Sequence, residues 1–458
     1  MILVSLLKKD FKLFLIDANG QDLSEASVME RLQTIHPEIA MVSALSFEYA
    51  QQSHKTFALI KQVCPEAITV IGGVHPTLMP EEVIRDKNID FLFLGHAQER
   101  IHDFLKAVLS RDEAALQKMP GIAFRQESGK DIINPVETFT ADVKTMVKPD
   151  YSLIDLTHYL TTKDNLGSHH LASDKRTAAI ITSYGCPYNC IFCANPILNN
   201  RKVAFRPIED VLEEIEYLVR QYQVEQFIFT DDCFLLKKER VKALFTAFID
   251  RGHTFSWKTT AVPAWLLDKE LLQLMKKSGC TQISISVESG VPRVLHDIIR
   301  KPLDLKIVPQ IVRTCKEVGI DLGANFVFGF PGETWDEIRQ TIRYAEACDF
   351  DVVHFHVAVP YPQTDLYKIA KQDGLLPVGF DFKHITYTGH AQGYITTEEF
   401  TPEELMVLRA YEWDRINFRS EEKTKKIAEM YKLSMRELNQ HRKATRLNLG
   451  IIKHNIAN

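Results

Sequence analysis

Three cysteines stand within eight positions of the sequence, in the run SYGCPYNCIFCANP at residues 183–196. They follow TAAIITS, an apolar run typical of a buried strand, and share a loop with Gly185 and Pro187. Such a loop can curl three thiolates around one centre, and clustered cysteines in a reducing compartment are more often metal-binding or catalytic than disulfide-bonded. The spacing therefore predicts that Cys186, Cys190 and Cys193 bind a metal centre.

The number of cysteines limits the kind of centre. A structural zinc site has four protein ligands, commonly in CxxC pairs, and no second pair is present, which leaves His169 and His170 as further candidates. Cubane iron–sulfur clusters take cysteine thiolates, and a cubane held by three of them leaves one iron open to another ligand. The pattern favours the cluster, with zinc as the alternative.

The remaining cysteines lie in different surroundings. Cys64, Cys280, Cys315 and Cys348 lie within or at the ends of helical patterns, where a thiol packs as a small apolar group. Cys233 follows a predicted strand in FTDDCF, next to two carboxylates, and packing is again the expected role of a single cysteine. We therefore interpret all of them as packing residues.

The motif CxxxCxxC, with the aromatic Phe192 before its last cysteine, resembles that of the radical S-adenosylmethionine (SAM) enzymes. The resemblance implies that the three cysteines hold a [4Fe-4S] cluster. It also implies that the fourth iron is chelated by the amino and carboxylate groups of SAM. The open iron expected from three thiolate ligands agrees with this implication.

The sequence after the motif alternates between strand and helix patterns. Counting the run before the cysteines, the strand candidates are TAAIITS, QFIFTDD, FSWKTTAV, QISISVES, LGANFVFGF and VVHFHVAV, and amphipathic runs such as FRPIEDVLEEIEYLVRQY lie between them. Strands that alternate with helices indicate parallel βαβ units. We predict a partial (βα)6 TIM-type barrel over residues 175–370, with its chemistry at the C-terminal ends of the strands, where the cysteine loop falls.

Several polar residues follow these strands at positions that resemble the SAM contacts of the family. The resemblance implies that two carboxylates after the second strand meet the amino group of SAM, with a solvated turn as the alternative. It places the sequence ESG near the ribose, followed by Arg300 and Lys301, which could reach a carboxylate. The residues concerned are Asp231, Asp232, Glu288, Ser289 and Lys301.

His354 and His356 lie two residues apart on one predicted strand and therefore point to the same side of it. If that side is the barrel interior, they face the substrate and, with Tyr361, are the candidate catalytic residues; otherwise they are packed. Further candidates to line the interior are Lys258, Thr260 and Asn325. This set is too mixed to identify a substrate.

Residues 1–140 form another α/β pattern, with strand candidates KLFLIDAN, IAMVSALS, AITVIGGVHPT and IDFLFLG. The stretch resembles the Rossmann-like, doubly wound cobalamin-binding domain that precedes the radical domain in cobalamin-dependent radical SAM enzymes. Glycines let the backbone approach a bulky ligand, and open α/β sheets bind ligands beyond the carboxyl ends of their strands. The implied cofactor contacts are Ser43, Gly72, Gly73 and His75.

This domain departs from the family in its length and in two motifs. Members commonly begin with a strand and a helix, so either the first strand is missing here or MILVSLL is a displaced strand. The acidic-glycine turn of the family reads GHAQE. The motif DxHxxG is absent, so any bound cobalamin is expected to lack a lower histidine ligand from this motif. We expect His75 to be a turn residue, with ligation of cobalamin as the alternative.

Composition sets further limits. The chain has 458 residues, and its 55 basic and 60 acidic residues give a net charge of −5, which offers no electrostatic argument for nucleic acid or an acidic membrane as partner. No apolar stretch is long enough to span a bilayer, and the first residues lack a signal-peptide cleavage site, so we predict a cytoplasmic protein. We expect residues 141–174 to form a linker and residues 371–458 a helical C-terminal cover.

The resemblance implies a cobalamin-dependent radical SAM methyltransferase that acts on an unactivated carbon. In that mechanism reduced cobalamin takes a methyl group from one SAM, and the cluster splits a second SAM to give a 5'-deoxyadenosyl radical. This radical removes a substrate hydrogen, and the carbon radical collects the methyl group from methylcobalamin. The implied partners are a small-molecule substrate and an electron donor such as flavodoxin or ferredoxin.

Two alternatives stay open from the sequence. The first is a radical SAM enzyme of the same architecture that does not methylate, such as an anaerobic oxidative cyclase. The second is a non-catalytic cobalamin- or metal-binding protein, which belongs to a different class. The complete cysteine triad and the ESG sequence argue against this second alternative.

Overall fold

The computed structural model describes residues 1–137, 148–161, 173–385 and 391–448. Most of the predicted linker, together with His169 and His170, lies outside these residues, so the domain limits at 140, 174 and 370 stay predictions. The chain divides into two compact units. The N-terminal unit comprises residues 1–159, 195–210 and 381–387, and the barrel unit comprises residues 160–194, 211–380 and 388–458.

The N-terminal unit contains a five-stranded sheet whose strands lie side by side in chain order. The predicted strands at IAMVSALS, AITVIGGVHPT and IDFLFLG are confirmed and run parallel, and two antiparallel strands follow them. The strands are β1 Ile39–Ala44, β2 Ile68–Gly73, β3 Phe91–Phe93, β4 Ile122–Arg125 and β5 Asp131–Ile133.

The helices that cover this sheet are short and amphipathic. Helix α6, for example, buries Ile101, Phe104, Leu105 and Val108, which share one face because they are spaced three and four residues apart. The helices up to residue 199 are α1 Ile2–Leu7, α2 Glu25–Ile35, α3 Ala50–Val63, α4 Val74–Leu78, α5 Pro80–Val83, α6 Ile101–Leu109, α7 Glu113–Lys118, α8 Leu156–Thr161 and α9 Asn195–Asn199.

The prediction of a strand at KLFLIDAN is wrong, because residues 12–17 have no regular secondary structure. In the flavodoxin-like order 2-1-3-4-5, the second strand pairs only with the first. MILVSLL is the helix Ile2–Leu7 and not a displaced strand. Within the described residues, KLFLIDAN therefore has no first strand with which it could pair. Phe11 and Leu13 pack against the core instead, whereas Phe14 is 53% exposed.

The barrel unit contains the predicted strands in one parallel six-stranded sheet, ordered β13-β12-β11-β10-β9-β6. This order, in which chain neighbours lie side by side, is that of a partial barrel. The strands after residue 173 are β6 Thr177–Ile180, β7 Ser183–Tyr184, β8 Ala204–Phe205, β9 Gln226–Phe229, β10 Ser256–Val262, β11 Cys280–Glu288, β12 Asp321–Phe328 and β13 Val352–Val357.

Helices alternate with these strands and continue beyond them. Capping boxes begin two of these helices, at Thr334 with Glu337 and at Thr401 with Glu404. None of the helices in the described ranges is long and apolar enough to cross a membrane. The helices are α10 Ile208–Tyr222, α11 Lys238–Asp250, α12 Lys269–Lys277, α13 Val308–Val318, α14 Trp335–Cys348, α15 Asp365–Gln372, α16 Pro402–Asn417, α17 Glu421–Met430 and α18 Met435–Asn448.

Helix α16 lies along β13, the last strand of the barrel sheet. At its C-terminal end, Asn417 accepts a hydrogen bond from the Val353 amide at 2.8 Å and donates one to the Val353 carbonyl at 2.7 Å. Towards its N-terminal end, Leu405 packs close to Gly329 and Val357. The helix therefore runs antiparallel to β13, with its N-terminal end at the C-terminal end of the strand.

Candidate active site

The cysteine loop begins after β6, at the C-terminal edge of the barrel sheet. Cys186, Cys190 and Cys193 are half-buried and form no disulfide bond. The middle of the loop is held on two sides, because the Ile191 amide donates to the Ile299 carbonyl at 3.2 Å and the Ile191 carbonyl accepts from the Leu366 amide at 2.9 Å. The backbone therefore fixes the loop without using the thiols.

The arrangement of the thiols bears on the kind of centre. Among the described residues, no three His, Cys, Asp or Glu side chains are gathered so as to hold a metal ion. Thiolates bound to one zinc ion lie about 3.8 Å apart, as tetrahedral Zn–S bonds of about 2.3 Å require. A cubane cluster is larger and spreads its cysteine ligands over different irons. Three half-buried cysteines on one tethered loop supply the thiolate ligands that such a cluster takes.

Asp231 lies after β9 and is only 5% exposed. Its carboxylate accepts hydrogen bonds from the Thr182 amide at 3.0 and 3.1 Å, the Thr182 hydroxyl at 2.8 Å and the Ser183 hydroxyl at 2.6 Å. Burial raises the pKa of Asp231, and these hydrogen bonds and nearby Arg240 oppose that shift. The carboxylate therefore ties β9 to the segment that leads into the cysteine loop.

The next two residues continue this contact towards the first cysteine. Asp232 accepts a hydrogen bond from the Gly185 amide at 2.8 Å. The fully buried thiol of Cys233 hydrogen-bonds Cys186, and this bond is the main cause that lowers the pKa of Cys186. Cys233 is therefore buried, as expected for a packing residue, and also bonds the first cysteine of the loop. Spacing along the chain gives no sign of this contact.

Glu288 ends β11 in the left-handed region, with φ of 69°, which is uncommon for a residue other than glycine. A shift in the pairing of β11 with β12 lies beside it, and such bulges re-aim side chains near active sites. Its carboxylate accepts a hydrogen bond from the Lys301 ammonium at 2.7 Å, and the two side chains are 7% and 6% exposed. They form a buried ion pair at the C-terminal edge of the sheet.

This ion pair adjoins the cysteine loop through an aromatic side chain that the sequence analysis missed. The Lys301 ammonium lies 5.6 Å from the centre of the Trp265 ring. The Trp265 indole donates to the Tyr188 hydroxyl at 2.8 Å, and Tyr188 stands between the first two cysteines. Burial raises the pKa of Cys190 to about 11, and Lys301 opposes this shift.

Ser289 and Gly290 of the ESG sequence are used within the protein. The Ser289 hydroxyl is fully buried, lies 3.0 Å from the Thr341 hydroxyl and accepts a hydrogen bond from the Val291 amide at 3.1 Å. A Cβ on Gly290 would lie 2.5 Å from that of Tyr344. These contacts explain Ser289 and Gly290 by packing within the protein. Glu288, the first residue of the motif, is also buried.

His354 and His356 point to the same side of β13, as predicted, with ring centres 6.4 Å apart. Nε2 of His356 lies 3.4 Å from Oδ1 of Asn325, whose amide donates to the Ser284 hydroxyl at 3.0 Å. The residues between them along the strands, such as Phe355, are buried and apolar. The two histidines and Asn325 therefore share one face of the sheet, opposite to the face that carries Phe355.

Two other predicted lining residues lie in different places. Tyr361 is half-buried and follows β13, on the loop that leads to α15. Lys258 is buried near the start of β10, and burial lowers its pKa to about 8, with Lys432 adding to the shift and Asp321 opposing it. Because Asp321 is the first residue of β12, Lys258 lies near the end of the sheet opposite to the cysteine loop.

In the N-terminal unit, the sequence GGVHPT follows the carboxyl end of β2 and contacts the chain at the carboxyl ends of the neighbouring strands β1 and β3. Gly73 has φ of 101°, and a Cβ there would lie 2.5 Å from the Ala44 carbonyl oxygen, whereas a Cβ on Gly72 would make only ordinary contacts. The Thr77 hydroxyl donates to the Gly73 carbonyl at 2.7 Å and accepts from the Gly95 amide at 2.9 Å. The exposed Ser43 is the last residue but one of β1 and pairs with Gly72.

His75 is 1% exposed and belongs to a chain of three side chains. Its Nε2 lies 3.3 Å from Nε2 of His54, whose Nδ1 lies 2.6 Å from the Asp86 carboxylate. Burial lowers the pKa of His75 to about 4, so it is neutral at physiological pH. If Asp86 accepts the Nδ1 proton of His54, Nε2 of His54 accepts from His75, and Nδ1 of His75 is left as a buried acceptor without a partner in the described structure.

Comparison with known families agrees with both units. The model of the radical SAM superfamily matches residues 180–345, which include the cysteine loop, and the model of the B12 binding domain matches residues 1–105. The fold and the site thus define a radical SAM enzyme with a B12-binding domain ahead of its barrel. The chain therefore has the two domains that characterise the cobalamin-dependent radical SAM enzymes, in agreement with the predicted fold class and the predicted cofactors [4Fe-4S], SAM and cobalamin.

Individual relatives are distant. The chain is 27% identical to cytidylyl-2-hydroxyethylphosphonate methyltransferase of Streptomyces wedmorensis, covering 80% of this chain and 72% of the relative. It is also 27% identical to anaerobic magnesium-protoporphyrin IX monomethyl ester cyclase of Rubrivivax gelatinosus, covering 77% and 62%. The structure of the methyltransferase TsrM from Kitasatospora setae, with cobalamin and a [4Fe-4S] cluster bound, has a TM-score of 0.68 at 18% identity over 82% and 74% of the chains.

Proposed function

We propose that the chain is a cobalamin-dependent radical SAM methyltransferase that acts on an unactivated carbon of a small molecule. The observation that carries this proposal is the set of three cysteines, none in a disulfide bond, on a tethered loop at the end of β6, in a chain that also has a B12-binding domain. When bound, the cluster supplies the electron that cleaves SAM, and cobalamin supplies a methyl carrier. The cytoplasm is the proposed compartment, and a flavodoxin or ferredoxin is the proposed electron donor.

The residues of the barrel unit have separate proposed roles. Cys186, Cys190 and Cys193 each bind one iron of the cluster. Glu288 hydrogen-bonds the SAM ribose with the oxygen that Lys301 does not use, and Lys301 balances the charge of the SAM carboxylate. The burial of this pair supports the assignment, because buried charges are retained mainly where they are paired or bind a ligand.

Asp231 and Asp232 are assigned differently from the sequence interpretation. The Asp231 carboxylate accepts four hydrogen bonds from residues that precede the cysteine loop, and Asp232 holds the Gly185 amide. We therefore propose that they position the loop, without contacting the SAM amino group. His354, His356 and Tyr361 are proposed to orient the substrate on the interior side of β13 and to accept or donate its protons.

In the N-terminal unit, Ser43, Gly72, Gly73 and His75 are the proposed cobalamin contacts. They fit the group because Gly72 leaves backbone accessible at the end of β2 and His75 carries a buried nitrogen that lacks a donor in the described structure. Such an edge, beyond the carboxyl ends of parallel strands, is where open α/β sheets bind ligands.

One experiment separates this function from its alternatives. The protein is reconstituted anaerobically with iron, sulfide and hydroxocobalamin, reduced, and given SAM with an isotope label on its methyl group. A methyltransferase is expected to form 5'-deoxyadenosine and to place the label on cobalamin. An oxidative cyclase, the alternative that the Rubrivivax relative supports, would form 5'-deoxyadenosine without methyl transfer. A non-catalytic binding protein would do neither.

Replacing Gly72 with leucine is expected to abolish cobalamin binding while the protein keeps its fold. A Cβ at Gly72 would lie 3.7 Å from the nearest protein atom, so the added side chain occupies space that the protein itself does not use. Gly73→Leu is the matched comparison and is expected to unfold this edge, because its Cβ would meet the Ala44 carbonyl oxygen at 2.5 Å. Cobalamin absorbance after desalting and thermal melting measure the two effects. Full cobalamin binding by Gly72→Leu would contradict the assignment.

Replacing Asp231 with asparagine is expected to weaken cluster binding about 10- to 100-fold, as changes behind metal ligands commonly do. The asparagine side chain has a similar volume, but its N–H groups would face the Thr182 and Ser183 donors, which bond the carboxylate in the wild type. Asp351→Asn is the control, because Asp351 is also buried and accepts from the Leu322 amide at 2.8 Å, at the opposite end of the strands. Iron per protein after reconstitution should fall only in Asp231→Asn. Equal losses in both variants would show a general effect on stability.

A further inference from the structure

Arg409 lies on the face of α16 that packs against the barrel unit. Leu405, Trp413 and Asn417 are spaced from it by multiples of four residues and therefore share its face of the helix. All three are buried, with exposures of 1%, 6% and 0%. A charged residue in the middle of such a face needs a partner, because burying an unpaired charge is costly.

Within the described residues, Arg409 has no such partner. Its Nε is shielded from solvent and meets no acceptor in the described residues, and burial lowers the pKa of the guanidinium to about 10 without any nearby carboxylate opposing the shift. Other arginines of these helices are paired: Arg415 with Glu346 and Glu412, and Arg442 with Asp414. Arg409 is still cationic at physiological pH, so it is a half-buried charge for which the described part of the chain supplies no counter-charge.

The position of Arg409 follows from the contacts at the two ends of α16. Leu405 is next to Gly329 and Val357, and Asn417 bonds Val353, so the shared face runs down β13 from its C-terminal end. At about 1.5 Å per residue, Arg409 lies about 6 Å along the helix from Leu405. That distance places it level with the C-terminal half of β13, the half that contains His356.

We propose that Arg409 binds an oxyanion group of the substrate, either a phosphate-type group or a carboxylate. The guanidinium presents a planar set of N–H donors that matches both groups. In this proposal the bound oxyanion supplies the counter-charge of Arg409. This inference rests on the proposed function in one respect, that the barrel unit holds the substrate. It narrows the substrate class to anionic small molecules.

The test uses the full-length, anaerobically reconstituted protein and compares Arg409→Met with Arg415→Met. Without added anion, Arg409→Met is expected to raise Tm by a few degrees, because methionine fills the same space without a buried charge. Inorganic phosphate and acetate, added separately at equal ionic strength, distinguish the two oxyanions. At least one should raise Tm of the wild type and of Arg415→Met and leave that of Arg409→Met unchanged.

Several results would overturn the proposal. They are a lower Tm for Arg409→Met, an anion response that persists in this variant, or no response of the wild type to either anion. Arg409→Lys, which keeps the charge, should keep the low Tm and part of the anion response. SAM should stabilise Arg409→Met as much as the wild type, since a loss of that response would assign Arg409 to the SAM carboxylate. Iron and cobalamin contents, counted on the same samples, report separately on the proposed function.

Discussion

Replacing Cys186, Cys190 and Cys193 together with alanine is expected to remove all cluster iron and to lower SAM cleavage below detection. Each thiolate holds a different iron, and the loop backbone offers no alternative ligand of the same kind. Without the cluster, no electron reaches SAM and no open iron binds it. The measurements are iron and acid-labile sulfide per protein after anaerobic reconstitution, and 5'-deoxyadenosine formed under reducing conditions.

The matched control for this variant is Cys315→Ala. Cys315 is fully buried on α13, and burial raises the pKa of its thiol to about 12, as expected for a packing cysteine. Its replacement should cost stability without loss of iron. Stoichiometric zinc in the anaerobically isolated wild type, with no cluster after reconstitution, would overturn the assignment of the cysteines.

The second large effect is expected for Glu288→Ala, which leaves the Lys301 ammonium buried without its partner. Breaking a buried ion pair from one side costs about 3–5 kcal/mol, and both side chains here are under 10% exposed, so little screening reduces the loss. SAM binding should weaken as well, because the carboxylate proposed for the ribose is removed. Chemical denaturation and equilibrium dialysis with SAM measure the two losses.

The double variant Glu288→Ala with Lys301→Met separates stability from binding. Removing both charges should restore most of the free energy of unfolding, since a buried ion pair and an apolar pair are often of similar stability. SAM affinity should remain low in the double variant. If Glu288→Ala binds SAM as tightly as the wild type, Glu288 has a packing role only.

The sequence predicts the barrel well because its strands are locally encoded. Apolar runs and helical periodicity are read within a few residues, and the structure confirms the strands and helices that they predict. The strand at KLFLIDAN failed because a strand also needs a neighbour, and nothing in that segment reports whether the neighbour exists.

Candidate site residues could be named from the sequence where a motif carries its own spacing, but not where their role depends on contacts across the fold. The cysteines and the histidine pair on β13 needed only local distances. Trp265, Cys233 and Arg409 were missed because their significance comes from partners far away in sequence, or from the lack of one. Even the aspartates after β9 were found by position, but which groups they bind is visible only in three dimensions.

The bond between Asn417 and β13 has a consequence for how the molecule meets other copies of itself. β13 is an end strand of the barrel sheet, and such a strand offers unused backbone groups to any other extended chain. The Asn417 amide takes both backbone groups of Val353, as a neighbouring strand would. The side chain thereby blocks edge-to-edge growth of the sheet into aggregates at this position, a protective role that is separate from any part in the chemistry.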